Sequence, residues 1–383
     1  MKSQQRIQIV NGETMPRGRK VSVFIPVYEN SDLLGELLEE LTNDSYENKE
    51  IFVTIDKPNE KSLEVARKYG DKVNFTLNEQ RRGKVDALNN AVKISKGEIL
   101  VFLDSDVKLD SKEFIAVIER EMEGVDILDI KKKIVRDSFI PKMVNYEYIS
   151  ANLGSYLWSK LTKKCFGING AAFAIKRETF EEVGGFSKVV SEDLDIAVKT
   201  LLKNKQFKYT EKVEVYTKAP SSWRIWLAQR KRWSIGTGLC IKDHWRDLIK
   251  HVAKYPHVAI PSIIILFPTL IPITLNYVFS NFLDYKIFDF VLMLLATRFS
   301  FLIPFLFSAS MALVLLTSLV NLFISFLLFS ALFYAASKKL KLHFNLLEFL
   351  IYYFFYQPFA FFTLIVGIIT PFLSSKYKLD WKV

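Results

Sequence analysis

Cysteine is scarce. The 383 residues include two, Cys165 and Cys240, at a spacing that suits no metal-ligand set. A disulfide-stapled secreted domain is thereby excluded, and both thiols are expected to be free and buried. The first twenty residues hold no apolar run, so no signal peptide is expected. Charge is missing altogether from residues 257–283, 299–337 and 349–375, which excludes a wholly soluble enzyme. Half the residues are hydrophobic and 32 are Phe, which excludes a disordered chain.

What charge there is lies in the first two-thirds. Residues 1–256 carry 44 Lys/Arg and 37 Asp/Glu, against eight and four in 257–383. Both parts are positive, so the excess does not form the single patch or stripe of a nucleic-acid binder, and no nucleic-acid partner is expected. The excess suits a domain against an anionic leaflet, a domain handling phosphorylated substrates, or plain solubility.

A membrane-spanning helix needs about 20 apolar residues. Segments 257–283 and 349–375 each fit one. The stretch from about 287 to 337 suits two, with a break expected at Pro304 and Ser308–Ser310. Four spans are expected, or three if 287–306 lies in the interface, where Arg298 would need a partner. Lys338, Lys339 and Lys341 face outside in one count, and Lys376, Lys378 and Lys382 in the other, so positive charge does not decide between them. Pro261, Pro268 and Pro272 kink the first span, either as ordinary membrane-helix prolines or to open a groove for a lipid tail. The expected location is the cell membrane, multi-pass, with the charged domain cytoplasmic.

That domain alternates strands and helices. Strands are expected at 21–25 (ended by Pro26), 51–55, 73–77 and 98–103, and helices at 31–42, 60–70 and 84–96. This order implies a mostly parallel sheet covered on both faces, with ligands beyond the carboxyl ends of the strands. Asp56 and the pair Asp104 and Asp106 sit at such ends. The first strand-to-helix turn, Pro26–Asn30, lacks glycine. It cannot hold a pyrophosphate as a G-x-G-x-x-G turn does, and no Walker A motif is present. Phosphates would need a metal or basic side chains.

Asp104-Ser105-Asp106 can reach one hard cation and a ribose edge; otherwise it is a solvated turn. Asp56 can accept from a base or ribose, or cap a turn. Arg81-Arg82-Gly83-Lys84 places cations at a helix start suited to a diphosphate, or is a solvated basic turn. In Ser191-Glu192-Asp193, with Asp195 beyond, a buried acid can serve as general base; otherwise these acids simply open a helix. Gln229-Arg230-Lys231-Arg232-Trp233 follows Trp223 and Trp226 on one helical face, capped by Ser221 or Ser222. Either the helix lies in the interface with Trp at headgroup level, or its Arg and Trp meet a diphosphate or acceptor sugar.

In chain order, Pro26-Val-Tyr-Glu29, Asp56, Arg82-Gly-Lys-Val-Asp-Ala-Leu-Asn89, Asp104-Ser-Asp106, Asn169-Gly170, Glu192-Asp193 and Gln229-x-x-Arg232-Trp233 resemble glycosyltransferase family 2. The likeness is to its membrane-integrated members, lipid-linked sugar transferases and cellulose or hyaluronan synthase-like enzymes, and it covers roughly 20–240. It implies a GT-A (Rossmann-like) domain over 1–220, interfacial helices over 221–256 and a helical transmembrane domain over 257–383. It further implies that Pro26, Tyr28, Glu29, Asp56, Arg82, Lys84, Asp104, Asp106, Gln229, Arg232 and Trp233 bind the nucleotide-sugar donor, with Asp56 facing the base. Asp106 would hold Mn²⁺ or Mg²⁺. Asn169, Gly170, Glu192 and Trp233 would bind the acceptor, and Asp193 would be the catalytic base of an inverting displacement. Asp56-Lys57-Pro58 departs from the acidic or small residues of many members, which leaves uracil and guanine both open.

Three functions compete. The first is single transfer of a hexose, mannose or glucose, from a GDP- or UDP-linked donor to a membrane lipid. The second is processive polysaccharide synthesis. The third is a transporter or binding-only membrane protein with a decayed transferase domain, against which the full acid set speaks.

Overall fold

The computed structural model describes residues 7–10, 13–16, 18–256 and 303–373. The expected spans at 257–283 and 287–302, with Pro261, Pro268, Pro272 and Arg298, lie outside the described residues, as do Lys376, Lys378 and Lys382.

A short antiparallel hairpin, β1 (Ile7–Val10) and β2 (Glu13–Pro16), precedes the main sheet. The sheet has eight strands: β3 (Val21–Tyr28), β4 (Lys49–Asp56), β5 (Asn74–Asn78), β6 (Ile99–Leu103), β7 (Val107–Leu109), β8 (Ile127–Ile134), β9 (Ala172–Lys176) and β10 (Phe207–Thr217). Their order is β5-β4-β3-β6-β9-β8-β10-β7. β9 runs against β6 and β8, and β7 against β10; the remaining pairs are parallel. Helices α1 (Leu34–Thr42), α2 (Glu60–Tyr69), α3 (Lys84–Ile94), α4 (Phe114–Glu121), α5 (Phe139–Leu161), α6 (Arg177–Glu182) and α7 (Glu192–Leu202) connect them.

The central strands are apolar almost throughout because both faces are covered. Alternation then sorts their side chains. Val21, Val23, Ile25 and Val27 join Ile51, Val53 and Val101 in one core beneath α1 and α4. Phe24, Phe52, Phe102 and Phe173 enter the other core with Leu88, Phe180 and Ile196. The Phe24 ring stacks 5.5 Å from Phe52 and 5.2 Å from Phe102.

Pro26 does not end its strand. β3 continues beside β4 to Tyr28, whereas its pairing with β6 stops at Phe24. A residue without an N–H is accommodated where one neighbour has already left. The parting of β3 and β6 opens the sheet at its carboxyl edge.

Beyond the sheet, α8 (Trp223–Lys254) is one helix of 32 residues. The Ser222 side chain caps it by accepting from Ile225 N–H at 3.4 Å. Helix α9 (Ile303–Lys339) is unbroken, which corrects the break expected at Ser308–Ser310. Pro304 lies in its first turn, where a missing N–H costs nothing. Helix α10 (Leu346–Ile351), a π turn (Tyr352–Tyr356) and α11 (Gln357–Leu373) follow. Leu319–Lys339 and Leu346–Leu373 are long and apolar enough to cross a membrane.

A third core joins these helices to α5 and α8 through Tyr146, Trp226, Phe329, Phe349 and Tyr356. Trp226 is fully buried here, stacked 5.6 Å from Phe359, with its indole N–H donating to Tyr356 Oη at 2.7 Å. It is therefore not a headgroup-level Trp; Trp223, 43% exposed, is the member of the set that reaches the surface. Glycines let α8 and α11 touch: a Cβ on Gly238 would strike the Ile368 backbone, and one on Gly367 would strike Ser234.

Candidate active site

β6 delivers Asp104, Ser105 and Asp106 to the carboxyl edge. The turn is pinned from two sides. Asp104 N–H donates to Ala171 O at 3.0 Å, and Ser31 Oγ–H donates to Ser105 O at 2.6 Å. Lys84, in the first turn of α3, places its ammonium 2.8 Å from Asp104 and 2.8 Å from Glu192. Burial alone would lower the Lys84 pKa, but the two carboxylates outweigh it and hold the ammonium charged. Asp106 opens to the cleft. The atoms crowding it, then the Asp104 charge, raise its carboxyl above the ordinary range.

Asp56 is 4% exposed. Its Oδ2 accepts from Arg82 N–H at 2.8 Å and Gly83 N–H at 2.7 Å, and its Oδ1 from Asn78 Nδ2–H at 2.9 Å. In this structure its carboxylate holds the turn that starts α3. Gly83 takes φ +97° there, a region that disfavours any side chain. Beside the turn, the Arg81 guanidinium lies 4.3 Å from the Tyr28 ring.

Asp193 sits at the start of α7. Its Oδ2 accepts from Gly170 N–H and its Oδ1 from Leu194 N–H, both at 2.8 Å. Burial, and next the neighbouring Glu192 charge, push its carboxyl up to about 6. Two residues on, Asp195 takes Lys199 at 2.8 Å and His244 of α8 at 3.0 Å. Burial opposes its charge, yet these bonds prevail and lower its pKa. The contact with His244 braces the first turn of α7, which carries Asp193, against α8.

Lys84, Asp104, Asp106, Asn169, Gly170, Glu192, Asp193, Gln229, Arg232 and Trp233 line one cleft of about 440 Å³. Residues from five separate stretches of chain thus converge. Pro26 borders a smaller hollow beside it, with Lys84 and Asp104. Tyr28, Glu29, Asp56 and Arg82 do not line the cleft. They form the adjoining β3, β4 and 81–83 edge, where Glu29 N–H donates to Asp56 O at 2.8 Å.

Arg230 departs from the expected cluster of cations for a diphosphate. It pairs with Glu147 of α5 and packs over the Trp233 ring at 4.6 Å. Burial raises the Glu147 pKa, and Arg230 and the Tyr356 hydroxyl, 3.1 Å away, oppose that rise. Glu147 and Tyr148 went unnoticed as site residues. The available signal was a carboxylate seven residues after Ile140 and four after Met143, on the apolar face of α5.

Among the described residues, no three His, Cys, Asp or Glu side chains are grouped to hold a metal. Asp104 and Asp106 nevertheless fit a hard cation that takes one or two protein carboxylates and completes its shell from water and phosphate oxygens. Cys165 and Cys240 are free and buried.

A mostly parallel sheet with one reversed inner strand, and an acid-lined cleft at its carboxyl edge, define a GT-A fold. Residues 22–184 match the family model described as Glycosyl transferase family 2. The similarity to that family lies in the stretch that carries β3 to α6. The chain is 24% identical over 244 residues to probable glycosyltransferase YdaM of Bacillus subtilis (strain 168), covering 58% of this chain and 56% of that protein. The match therefore spans little more than half of that relative. It is 23% identical over 282 residues to poly-beta-1,6-N-acetyl-D-glucosamine synthase of Staphylococcus epidermidis, covering 70% of this chain and 68% of that protein. Among solved structures, a mannosyltransferase from Pyrobaculum calidifontis in complex with GDP-Man and Mn²⁺ is 20% identical. It aligns over 79% of this chain and 87% of that one, with a TM-score of 0.49.

Proposed function

We propose that the protein is a glycosyltransferase, inverting and metal-dependent, and that it moves a hexose such as mannose or glucose from a GDP- or UDP-linked donor to a lipid acceptor. The acceptor is a polyprenyl phosphate or a glycolipid at the cytoplasmic face of a membrane. The observation that carries this reading is the convergence of Asp104, Asp106, Lys84, Asp193, Gln229, Arg232 and Trp233 on one cleft. Support for the membrane comes from the outer faces of α9–α11, where Phe323, Leu347, Phe355 and Phe362 are each more than 60% exposed. Apolar surface of that extent calls for a partner or a lipid.

In this reading a hydroxyl acceptor gives its proton to Asp193 as its oxygen bonds to the anomeric carbon. The bond from that carbon to the donor phosphate breaks on the opposite face, and the nucleoside diphosphate leaves. At about 6, the Asp193 carboxyl is ionised at neutral pH yet still basic. Arg232 and Lys84 offer positive charge to the departing group. A cation on Asp106, Mn²⁺ or Mg²⁺, supplies further charge neutralisation when bound.

The polysaccharide synthase similarity extends past the catalytic domain, and this favours processive synthesis as the second reading. Labelled nucleotide sugar incubated with native membranes separates the two. An organic-extractable, single-sugar product supports lipid transfer, and polymer retained at the chromatographic origin supports the synthase.

A further inference from the structure

A second cavity, of about 430 Å³, lies between α5, α8 and α11. It shares Tyr148, Asn169, Arg230, Trp233 and Thr237 with the catalytic cleft, so the two adjoin along a common wall. Ala151 and Gly154 of α5 leave the space open. Phe361 and Leu364 of α11, within an apolar segment long enough to cross a membrane, form the opposite side. Along α5 the cavity reaches from Glu147 to Trp158, about 16 Å at the helical rise.

The polar groups on its floor are already satisfied by one another. Lys132 pairs with Asp129. Ser155 Oγ–H donates to Asp129 Oδ2 at 2.7 Å. Asn152 Nδ2 donates to Lys132 O at 2.8 Å and Tyr148 O at 2.7 Å, while its Oδ1 accepts from Tyr209 at 2.9 Å. Trp158 is different. It lines the cavity and is 4% exposed, and its indole Nε1–H finds no acceptor among the described residues. At the cleft end, Arg230 Nε is likewise without an acceptor, although its guanidinium is paired with Glu147.

This pattern discriminates between occupants. A glycan carries many hydroxyls, and each one buried needs a free partner. Among the described residues, few lining side chains keep polar atoms without a partner, Trp158, Ser150 and Gln357 among them, too few for the hydroxyls of a buried glycan. An apolar chain needs none, and one oxygen along it would satisfy Trp158. We infer that this cavity seats the apolar chain of the acceptor lipid. The Trp158 indole N–H holds an ester or ether oxygen of that lipid, and the head group passes Asn169 to reach Asp193. The inference rests on the lipid-acceptor reading and gives its binding site.

The test uses the full chain in vesicles of native lipid extract. Ala151→Phe and Ala360→Phe fill the cavity from two sides. The expected result is at least a tenfold loss of label transferred to the organic phase, with donor-induced thermal stabilisation unchanged. Trp158→Phe keeps the ring and removes the N–H, and is expected to raise the lipid KM severalfold. A second readout needs no catalysis. Diazirine-bearing palmitate should cross-link peptides holding Ala151 and Leu364 in the wild type but not in Ala151→Phe. Unchanged lipid KM and cross-linking in all three variants overturn the inference, as does displacement of the probe by soluble oligosaccharide, which assigns the cavity to a glycan. A wild type that makes lipid product without cross-linking at α5 and α11 sinks this inference alone. Cross-linking there without lipid product sinks the acceptor reading alone.

Discussion

Gly170 donates its backbone N–H to the Asp193 carboxylate at 2.8 Å, and the two residues are packed too tightly for a side chain between them. A Cβ on residue 170 would fall 2.9 Å from Asp193 Oδ2 and 3.2 Å from Asp193 Cβ. Gly170→Ala must therefore push the carboxylate aside. A displacement of even about 1 Å can cost roughly 100-fold in rate. We expect kcat to fall about tenfold to a hundredfold, with donor KM little changed, in steady-state transfer assays.

The pH profile follows from Asp193. Its carboxyl titrates at about 6 because of burial and, after that, the Glu192 charge. As a base it must be ionised, so kcat/KM for a hydroxyl acceptor should fall about tenfold per pH unit below that value. Glu192→Gln removes the like charge that raises the pKa. The acid limb should then move to lower pH, which rate measurements from pH 4.5 to 8 would resolve. The same raised pKa makes folding less favourable as pH climbs from 3.8 towards 6, because the unfolded chain loses that proton first.

Asp56 accepts three hydrogen bonds and is almost wholly buried. Asp56→Ala leaves the N–H groups of Arg82 and Gly83 without their acceptor. The expected destabilisation is about 2–3 kcal/mol, since bonds to a charged group are the strong ones. Because the turn also positions Lys84, donor KM should rise as well. Thermal unfolding with and without donor separates the two effects.

Glu147 neutralises Arg230 deep between α5 and α8. Glu147→Ala would strand that cation, at a cost of about 3–5 kcal/mol. Glu147→Ala combined with Arg230→Met removes both charges and should recover a good part of the loss. A double-mutant cycle from chemical denaturation checks this, and additive losses would show that the two side chains do not act together.

The sequence was most informative where function depends on a strand end. Asp104 and Asp106 follow a continuous apolar run, so their place beyond the sheet's carboxyl edge could be argued from topology, whereas Asp193 opens a helix that no pattern ties to that edge, and the family resemblance brought it into the site. Asp56 was legible as a strand-end carboxylate, but not its partners: Asn78, Arg82 and Gly83 lie 22 to 27 residues on and meet it only when the loop folds back. The helical face of Trp223, Trp226 and Trp233 was visible too. What covers Trp226 was not, because Tyr356 is 130 residues away. Glu147 and Trp158 escaped for the same reason, since α5 carries no recognisable motif and its partners come from α8 and the π turn. The unbroken α9 shows the opposite failure, where small polar residues looked like a break but a helix absorbs them.

Single-turnover transfer by Asp193→Asn, measured beside its donor affinity, bears most directly on the role of the cleft. The substitution keeps the shape of the side chain and removes its basicity. With a hydroxyl acceptor, transfer should fall about 100- to 10,000-fold while donor affinity stays within about twofold, because the donor contacts are untouched. Transfer at the wild-type rate, or a loss carried entirely by weaker donor binding, would contradict the assignment of Asp193 as the base.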